Sequence, residues 1–338
     1  MAGEENLFVG QESAKVTAAA GDIEKAAGVL RAGGLVAFPT ETVYGLGADA
    51  SDPAAVSRIY QAKGRPSTHP LIVHLAGAGF LDGWVEKLPE PARLLAERFW
   101  PGPLTLVLRR GPRVSSAATG GLETVGVRVP DHPVALALLS AFGGGAAAPS
   151  ANRFGSVSPT TAEHVRAELG DAVDFVLDGG PCQVGVESTI VDATSDTLSV
   201  LRPGGVPRED LEAVLGGPLD VPSTSPIRVP GQHPSHYAPR AKVVLVEPDQ
   251  VVAEAAHARK LGHRVGVFLP PSQNGGAPEA HAVVAVPEST AEYARGLYGF
   301  LRELDRQGCD LIVASLPEET GLGLAIANRL RRAAGPRS

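Results

Sequence analysis

The sequence predicts an α/β fold in two parts: a mixed, twisted sheet with helices over residues 10–216, and a smaller α/β domain of Rossmann-like topology over residues 241–334. Three observations carry this. Short apolar runs in the first part arrive both as hairpin partners and across helical stretches, the pattern of a mixed sheet. Residues 217–240 hold six prolines and no period of 2 or 3.6, which makes them an extended linker. Beyond the linker, strands of buried composition alternate with helices, the rhythm of a parallel sheet.

At 338 residues, 43% hydrophobic and 20% charged, the chain is long enough to bury a substantial core. Formal charge is −7, and residues 1–216 carry 17 Lys and Arg against 25 Asp and Glu. That balance opposes nonspecific nucleic-acid binding, which needs a broad basic face. The two cysteines, Cys182 and Cys309, lack the spacing of a zinc site or disulfide framework. No charged, apolar leader opens the chain, and no apolar run reaches a membrane-spanning length of about 18 residues. The expectation is a soluble protein of a reducing compartment, the cytoplasm, with no membrane partner.

In chain order, a helix is expected near 21–32. Residues 33–75 follow as strand LVAF, a turn at Pro39, a helix over 53–62, a basic turn and strand LIVHL. Asp52 before Pro53 is an N-cap followed by proline at the first helical position. A helix near 89–99 closes at Trp100-Pro101-Gly102-Pro103, and strands follow at 104–110 and 124–130, the second alternating as half-buried strands do. Helices at 133–142 and 160–169 flank the small-residue run 146–152. Strands at 175–180, 187–194 and 198–204 and a short helix from Pro207 complete this part. The second part reads as strands at 243–248, 265–270, 282–287 and 311–315, with helices at 249–261, 289–307 and 321–332. Gly321-Leu322-Gly323 opens the last helix, and a lone GxG there is ordinarily a helix cap.

The chemistry-bearing residues collect at strand ends, where open α/β sheets place ligands. Thr40, Glu41, Thr42 and Tyr44 follow the first strand. Lys63, Arg65, Ser67, Thr68 and His69 follow the helix, and His74 lies in the next strand. In Lys63-Gly64-Arg65-Pro66, Gly64 allows a sharp turn and Pro66 stiffens it, so two cations sit on a short loop suited to a polyphosphate. A charged turn alone is usually just solvated. Arg128 interrupts an apolar strand, the place of a surface residue on an edge strand. Ser150-Ala151-Asn152, Glu187-Ser188-Thr189 and Leu201-Arg202-Pro203-Gly204 add polar groups at further strand ends. There is no P-loop, kinase set, Ser-His-Asp order or HxxEH pattern. Donors and cations with few carboxylates suit phosphoryl or nucleotidyl transfer, in which positioning and charge neutralisation do most of the catalysis.

PTETVYGLGADA followed by AKGRPSTHPLIVH resembles the signature of the YrdC-like family, the threonylcarbamoyl-AMP synthases. With His236-Tyr237-Ala238-Pro239 and the final GLGLAIANRLRRAA, the likeness covers nearly the whole chain and indicates the long, two-domain form. It implies a YrdC-like mixed sheet and synthesis of L-threonylcarbamoyladenylate from L-threonine, bicarbonate or CO2, and ATP. The product would serve N6-threonylcarbamoyladenosine formation beside the anticodon of ANN-decoding tRNAs through a separate transferase complex, with weak or no stable tRNA binding by the chain itself. Carried over position by position, the resemblance implies that Thr42, His74, Arg128, the backbone at Ala148, and Ser188 hold L-threonine. It implies that Lys63, Arg65, His69, Thr124, Ser150, Asn152, Ser158, Arg202 and Tyr237 surround ATP, that Lys63 and Arg65 serve catalysis, and that Mg2+ rides on the phosphates with no metal site of the protein's own. His236-Tyr237 would fold over the cleft as a lid. The linker departs from the family pattern: Gln232-His233-Pro234-Ser235 replaces the usual stretch containing Met and a first Tyr. Competing expectations are another carbamoyl-adenylate-forming enzyme, or an RNA-binding, ribosome-associated module of the same fold.

Overall fold

The structure, a computed structural model, describes residues 19–222, 227–231, 236–273 and 279–336. Helix α1 (Ala20–Arg31) leads into β1 (Val36–Phe38) and β2 (Gly45–Asp49), an antiparallel pair. The sequence reading contains no β2, because two glycines in five residues make a poor strand by propensity. Pairing explains them. A Cβ on Gly47 would lie 2.7 Å from the Phe38 ring, so the close approach of these strands needs glycine.

Helix α2 (Pro53–Lys63) starts as expected: the Asp52 carboxylate accepts the Ala54 amide at 2.8 Å, with Pro53 in the first turn. Gly64, at φ 62°, ends it in the left-handed conformation open to glycine. Lys63 is therefore the last residue of a helix, not a member of the following loop.

The first domain continues as β3 (Ile72–His74), α3 (Glu90–Phe99), β4 (Leu104–Arg109), β5 (Thr124–Arg128), α4 (Pro133–Phe142), β6 (Ala146–Ala147), α5 (Ala162–Leu169), β7 (Phe175–Val176), β8 (Thr189–Asp192), β9 (Ser199–Arg202) and α6 (Arg208–Leu215). One nine-stranded mixed sheet results, in the order β7-β1-β2-β6-β3-β5-β4-β8-β9. β5 lies between β3 and β4, so Arg128 sits on an interior strand rather than an edge. It is the register partner of His74 across the parallel β3–β5 pair.

The second domain is β10 (Lys242–Leu245), α7 (Val251–Lys260), β11 (Val265–Leu269), β12 (Ala282–Ala285), α8 (Thr290–Arg306), β13 (Leu311–Ala314) and α9 (Leu322–Ala333). Its four strands are all parallel, in the order β10-β13-β11-β12. Gly321 is the N-cap of α9, and a Cβ on Gly323 would meet the Glu318 carbonyl oxygen, so both glycines have structural work.

The domains share a core. Val43, Val157 and Val186 of the first pack in one apolar cluster with Tyr293, Leu297, Tyr298, Ile326 and Leu330 of the second, and the linker's Tyr237 joins them. The described parts of the linker form no helix or strand. They make single bridging pairs, Ser199 with Asp220 and Ser156 with Ala238, and the His236 amide donates to the Arg332 carbonyl at 3.3 Å. The altered motif at residues 232–235 lies outside the described residues.

Candidate active site

The loop between β1 and β2 is built by Thr40. Its hydroxyl donates to the Val43 carbonyl at 2.6 Å and accepts the Thr42 and Val43 amides, each at 3.2 Å. A hydroxyl satisfying its own turn in this way fixes the loop without help from solvent. The loop therefore holds Thr42 rigidly against the Arg128 guanidinium, which donates to the Thr42 hydroxyl at 3.0 Å. Behind it, Arg128 Nη2 lies 2.6 Å from Glu41 Oε1, an ion contact off the hydrogen-bond line between two buried groups.

Around this centre lies a pocket closed on one side by the linker. Thr42, Arg65, His74 and Arg128 line it together with Ala148, Ser150, Ser188 and Arg202, and Pro230, Gly231, His236 and Tyr237 cover it. His69 lies in an adjoining mouth with Arg65, Phe154, His236 and Arg228. Thr124 opens instead on a neighbouring apolar cavity beside Val107, Ile190 and Val229.

Three expected residues stand behind the wall. Lys63 Nζ donates to the Ser150 carbonyl at 2.5 Å and to the Asn152 carbonyl, so its cation holds the Ser150–Asn152 loop. Asn152 donates its side-chain amide to the carbonyls of Arg153 and Ser156 at 2.7 and 2.9 Å. The Ser158 hydroxyl donates to Glu187 at 2.6 Å. Of the two cations near Gly64, only Arg65 faces the pocket.

Much of the wall is hydrogen-bonded. Arg202 donates to the Ser188 carbonyl through Nε at 3.2 Å and Nη2 at 2.8 Å, and to the Pro230 carbonyl at 3.1 Å, tying strand β9 to the linker. The Ser188 hydroxyl pairs with that of Thr105 at 2.8 Å. The Ala148 amide is taken by the Ile72 carbonyl at 2.8 Å. Ala148 itself lines the pocket.

Charge in this enclosure is tuned by burial. Burial, then the nearby Arg128 charge, pushes His74 down to about 3, so its imidazole is neutral at pH 7. Burial lowers Lys63 well below the usual lysine range, helped by Arg65. Arg65 itself is lowered to about 10, first by burial. Burial would raise Glu187, but Arg329, Arg202 and the Ser158 hydrogen bond outweigh it and hold the carboxyl down to about 2.

Tyr237 is the one residue other than glycine with positive φ, 59°, among the described residues. Such a backbone costs roughly 1–3 kcal/mol and persists where its surroundings over-determine it. Buried polar atoms without hydrogen-bond partners among the described residues gather here too: Arg65 Nε, Asn152 Oδ1 and His236 Nδ1. Buried polar groups left open in this way call for a partner, and a ligand in the pocket can supply one.

Sequence reasoning missed Tyr298 and Arg329, which bind the carboxylate of Glu187, a pocket-lining residue, from the second domain. The available signal was periodicity. Arg329 falls on the apolar stripe of α9 with Ala325, Ile326, Leu330 and Ala333, and an arginine on a core stripe demands a buried partner.

Fold and site together define a two-domain α/β protein with a cation-lined pocket roofed by its interdomain linker. Residues 28–204 match the family model Sua5_yciO_yrdC, described as "Telomere recombination", and residues 206–335 match "Threonylcarbamoyl-AMP synthase, C-terminal domain". The chain is 45% identical over 326 residues to the threonylcarbamoyl-AMP synthase of Pyrococcus abyssi, covering 93% of this chain and 94% of that one. Identity to the Bacillus subtilis threonylcarbamoyl-AMP synthase is also 45%, over 93% of each chain. The crystal structure of P. abyssi Sua5 complexed with L-threonine superposes with TM-score 0.88 at 44% identity, covering 94% of this chain and 95% of the other. The chain belongs to the threonylcarbamoyl-AMP synthase family, a family of enzymes. No helix among the described residues is long and apolar enough to cross a membrane.

Proposed function

We propose that this protein condenses L-threonine, bicarbonate or CO2, and ATP into L-threonylcarbamoyladenylate, releasing pyrophosphate. The observation that carries this reading is the charge of the pocket. Arg65, Arg128 and Arg202, each nine-tenths or more buried, line it, and the one carboxylate in the lining, Glu187, is already engaged by Arg329 and Ser158. Counting Arg329 behind the wall, four guanidiniums face only the Glu41 and Glu187 carboxylates, so the site favours anions, and forked donors suit carboxylates and phosphates. The structural neighbour that contains L-threonine has this same two-domain architecture.

On this reading Arg128, steadied by Glu41, receives the amino-acid carboxylate, with Thr42, His74, Ser188 and the backbone at Ala148 around the rest of threonine. Arg65, His69 and Arg202 face the phosphates. Ser150 and Tyr237 border the nucleotide, and Thr124 flanks it from the neighbouring cavity. Lys63, Asn152 and Ser158 act from behind, Lys63 and Asn152 by holding the loop from Ser150 to Ser156 and Ser158 by orienting Glu187. The threonine amine adds to CO2 and loses a proton to give a carbamate. A carbamate oxygen then attacks the α-phosphorus as the bond to pyrophosphate breaks. The linker keeps water from both labile species.

The described residues contain no cluster of three or more His, Cys, Asp or Glu able to hold a metal. On this reading Mg2+ enters with ATP as part of the substrate, the usual arrangement for this ion. The product feeds tRNA modification by a downstream transferase in the cytoplasm, with no stable tRNA complex of this chain.

The test is pyrophosphate release from ATP. Release that requires both L-threonine and bicarbonate, and is lost when serine or glycine replaces threonine, is expected. Threonine-independent release, or none from folded protein, overturns the reading.

A further inference from the structure

The second domain reaches the pocket through a small buried network. Glu187 precedes Ser188 at the start of β8 and lines the pocket, yet its carboxylate faces the second domain. Arg329 Nε of α9 donates to Glu187 Oε2 at 2.7 Å, and the Tyr298 hydroxyl of α8 donates to the same carboxylate at 2.8 Å. Arg329 also donates through Nη1 to the Pro203 carbonyl at 2.8 Å. Pro203 follows Arg202, so the guanidinium clamps the ends of β8 and β9 together.

The same two side chains hold the linker. The Arg329 guanidinium lies over the Tyr237 ring at 5.1 Å from its centroid, and the Tyr298 ring stacks on Tyr237 at 5.8 Å and 27°. Tyr237 is thus packed between a cation and an aromatic ring, which accounts for its retained left-handed backbone. Arg329 and Tyr298 are 1% and 0% exposed, so solvent does not compete for either contact.

We propose that Arg329 is a positioning residue for the pocket: by fixing Glu187 on the first domain and Tyr237 on the linker at once, it gives the pocket its working shape only when the second domain is docked. The second domain is then part of the active site's support. The proposal rests on the function proposed above for its kinetic arm, and on geometry alone for its structural arm.

Arg329→Lys retains the charge beside Glu187 but lacks a planar fork able to reach Pro203 and cover the Tyr237 ring together. The expected result is near-native thermal stability, an ATP KM raised at least ten-fold with a smaller change in kcat, and faster hydrogen exchange at amides 236–238 in the full-length protein. Unchanged ATP KM and unchanged linker exchange in this variant overturn the proposal. In the double variant E187Q/R329M the ion pair is replaced by uncharged groups of similar size, which commonly spares stability. Near-native stability with an ATP KM and exchange defect like those of Arg329→Lys supports positioning. Near-native stability with wild-type ATP KM and wild-type linker exchange assigns the pair a purely structural role and also overturns the proposal. Wild-type protein without threonine-dependent pyrophosphate release refutes the proposed function, and the exchange measurements then decide the role of Arg329 alone.

Discussion

Arg128 and Glu41 approach to 2.6 Å with side chains only 4% and 5% exposed. Breaking such a pair strands one charge in the interior, at a cost of about 3–5 kcal/mol. Glu41→Ala should destabilise the protein by that amount in urea unfolding, and Glu41→Gln by less. A loss below about 1 kcal/mol for the alanine variant would mean that water reaches Arg128.

Arg128→Ala should raise the threonine KM by roughly ten- to a hundred-fold, the value of one charge-assisted contact, with a much smaller effect on the ATP KM. Steady-state kinetics with each substrate varied in turn measures this. An unchanged threonine KM would remove Arg128 from that role.

Lys63 and Arg65, two residues apart, should fail differently. Arg65 lines the pocket and makes one loop contact, to the Pro70 carbonyl at 3.0 Å, so Arg65→Ala should act mainly on the ATP KM, by roughly one to two powers of ten, with the smaller loss of stability. Lys63 supplies donors to two loop carbonyls. Lys63→Met should therefore lower stability by about 1–3 kcal/mol as well as kcat. Equal melting temperatures for the two variants would contradict this division.

Stability should fall with acid before most carboxylates titrate. His74 has its ordinary value of 6.5 when unfolded and about 3 when folded, so its contribution is complete above pH 6.5 and is lost progressively as pH falls towards 3. Between pH 7 and pH 5 this amounts to about 2 kcal/mol. Burial shifts His132, His164 and His236 in the same direction. Glu187 adds its share only as pH falls from 4.5 towards about 2. Urea midpoints at the two pH values test this, and a slope no shallower in His74→Asn would exclude His74 as a source.

Gly204 sits where the β9 strand end crosses the pocket wall. A Cβ there would lie 2.3 Å from the Glu187 carbonyl oxygen, the Ser188 carbonyl carbon and the Thr189 nitrogen, all backbone atoms that cannot step aside. Gly204→Ala should cost about 1–3 kcal/mol or more and displace Ser188, lowering both melting temperature and activity. A variant with native melting temperature would show that β8 can yield.

Local chemistry determined much of this protein. The cap at Asp52, the stop at Gly64, the alternation of β5 and the strand–helix rhythm after residue 240 follow from propensity and periodicity and could be read directly. The polar strand ends could be named for the same reason, since their residue types are unsuited to a buried sheet without a purpose. Which way each group points could not be read. Lys63 and Arg65 are equivalent on paper, and only the packing of α2 against the Ser150–Asn152 loop turns one inward to carbonyls and the other to the pocket. The strand at 45–49 was hidden because its glycines are explained by the Phe38 ring across the sheet. Arg329 and Glu187 lie 142 positions apart, and no local pattern links them. Their pairing exists because the second domain docks through a shared core, which excludes the water that would otherwise have satisfied each charge separately.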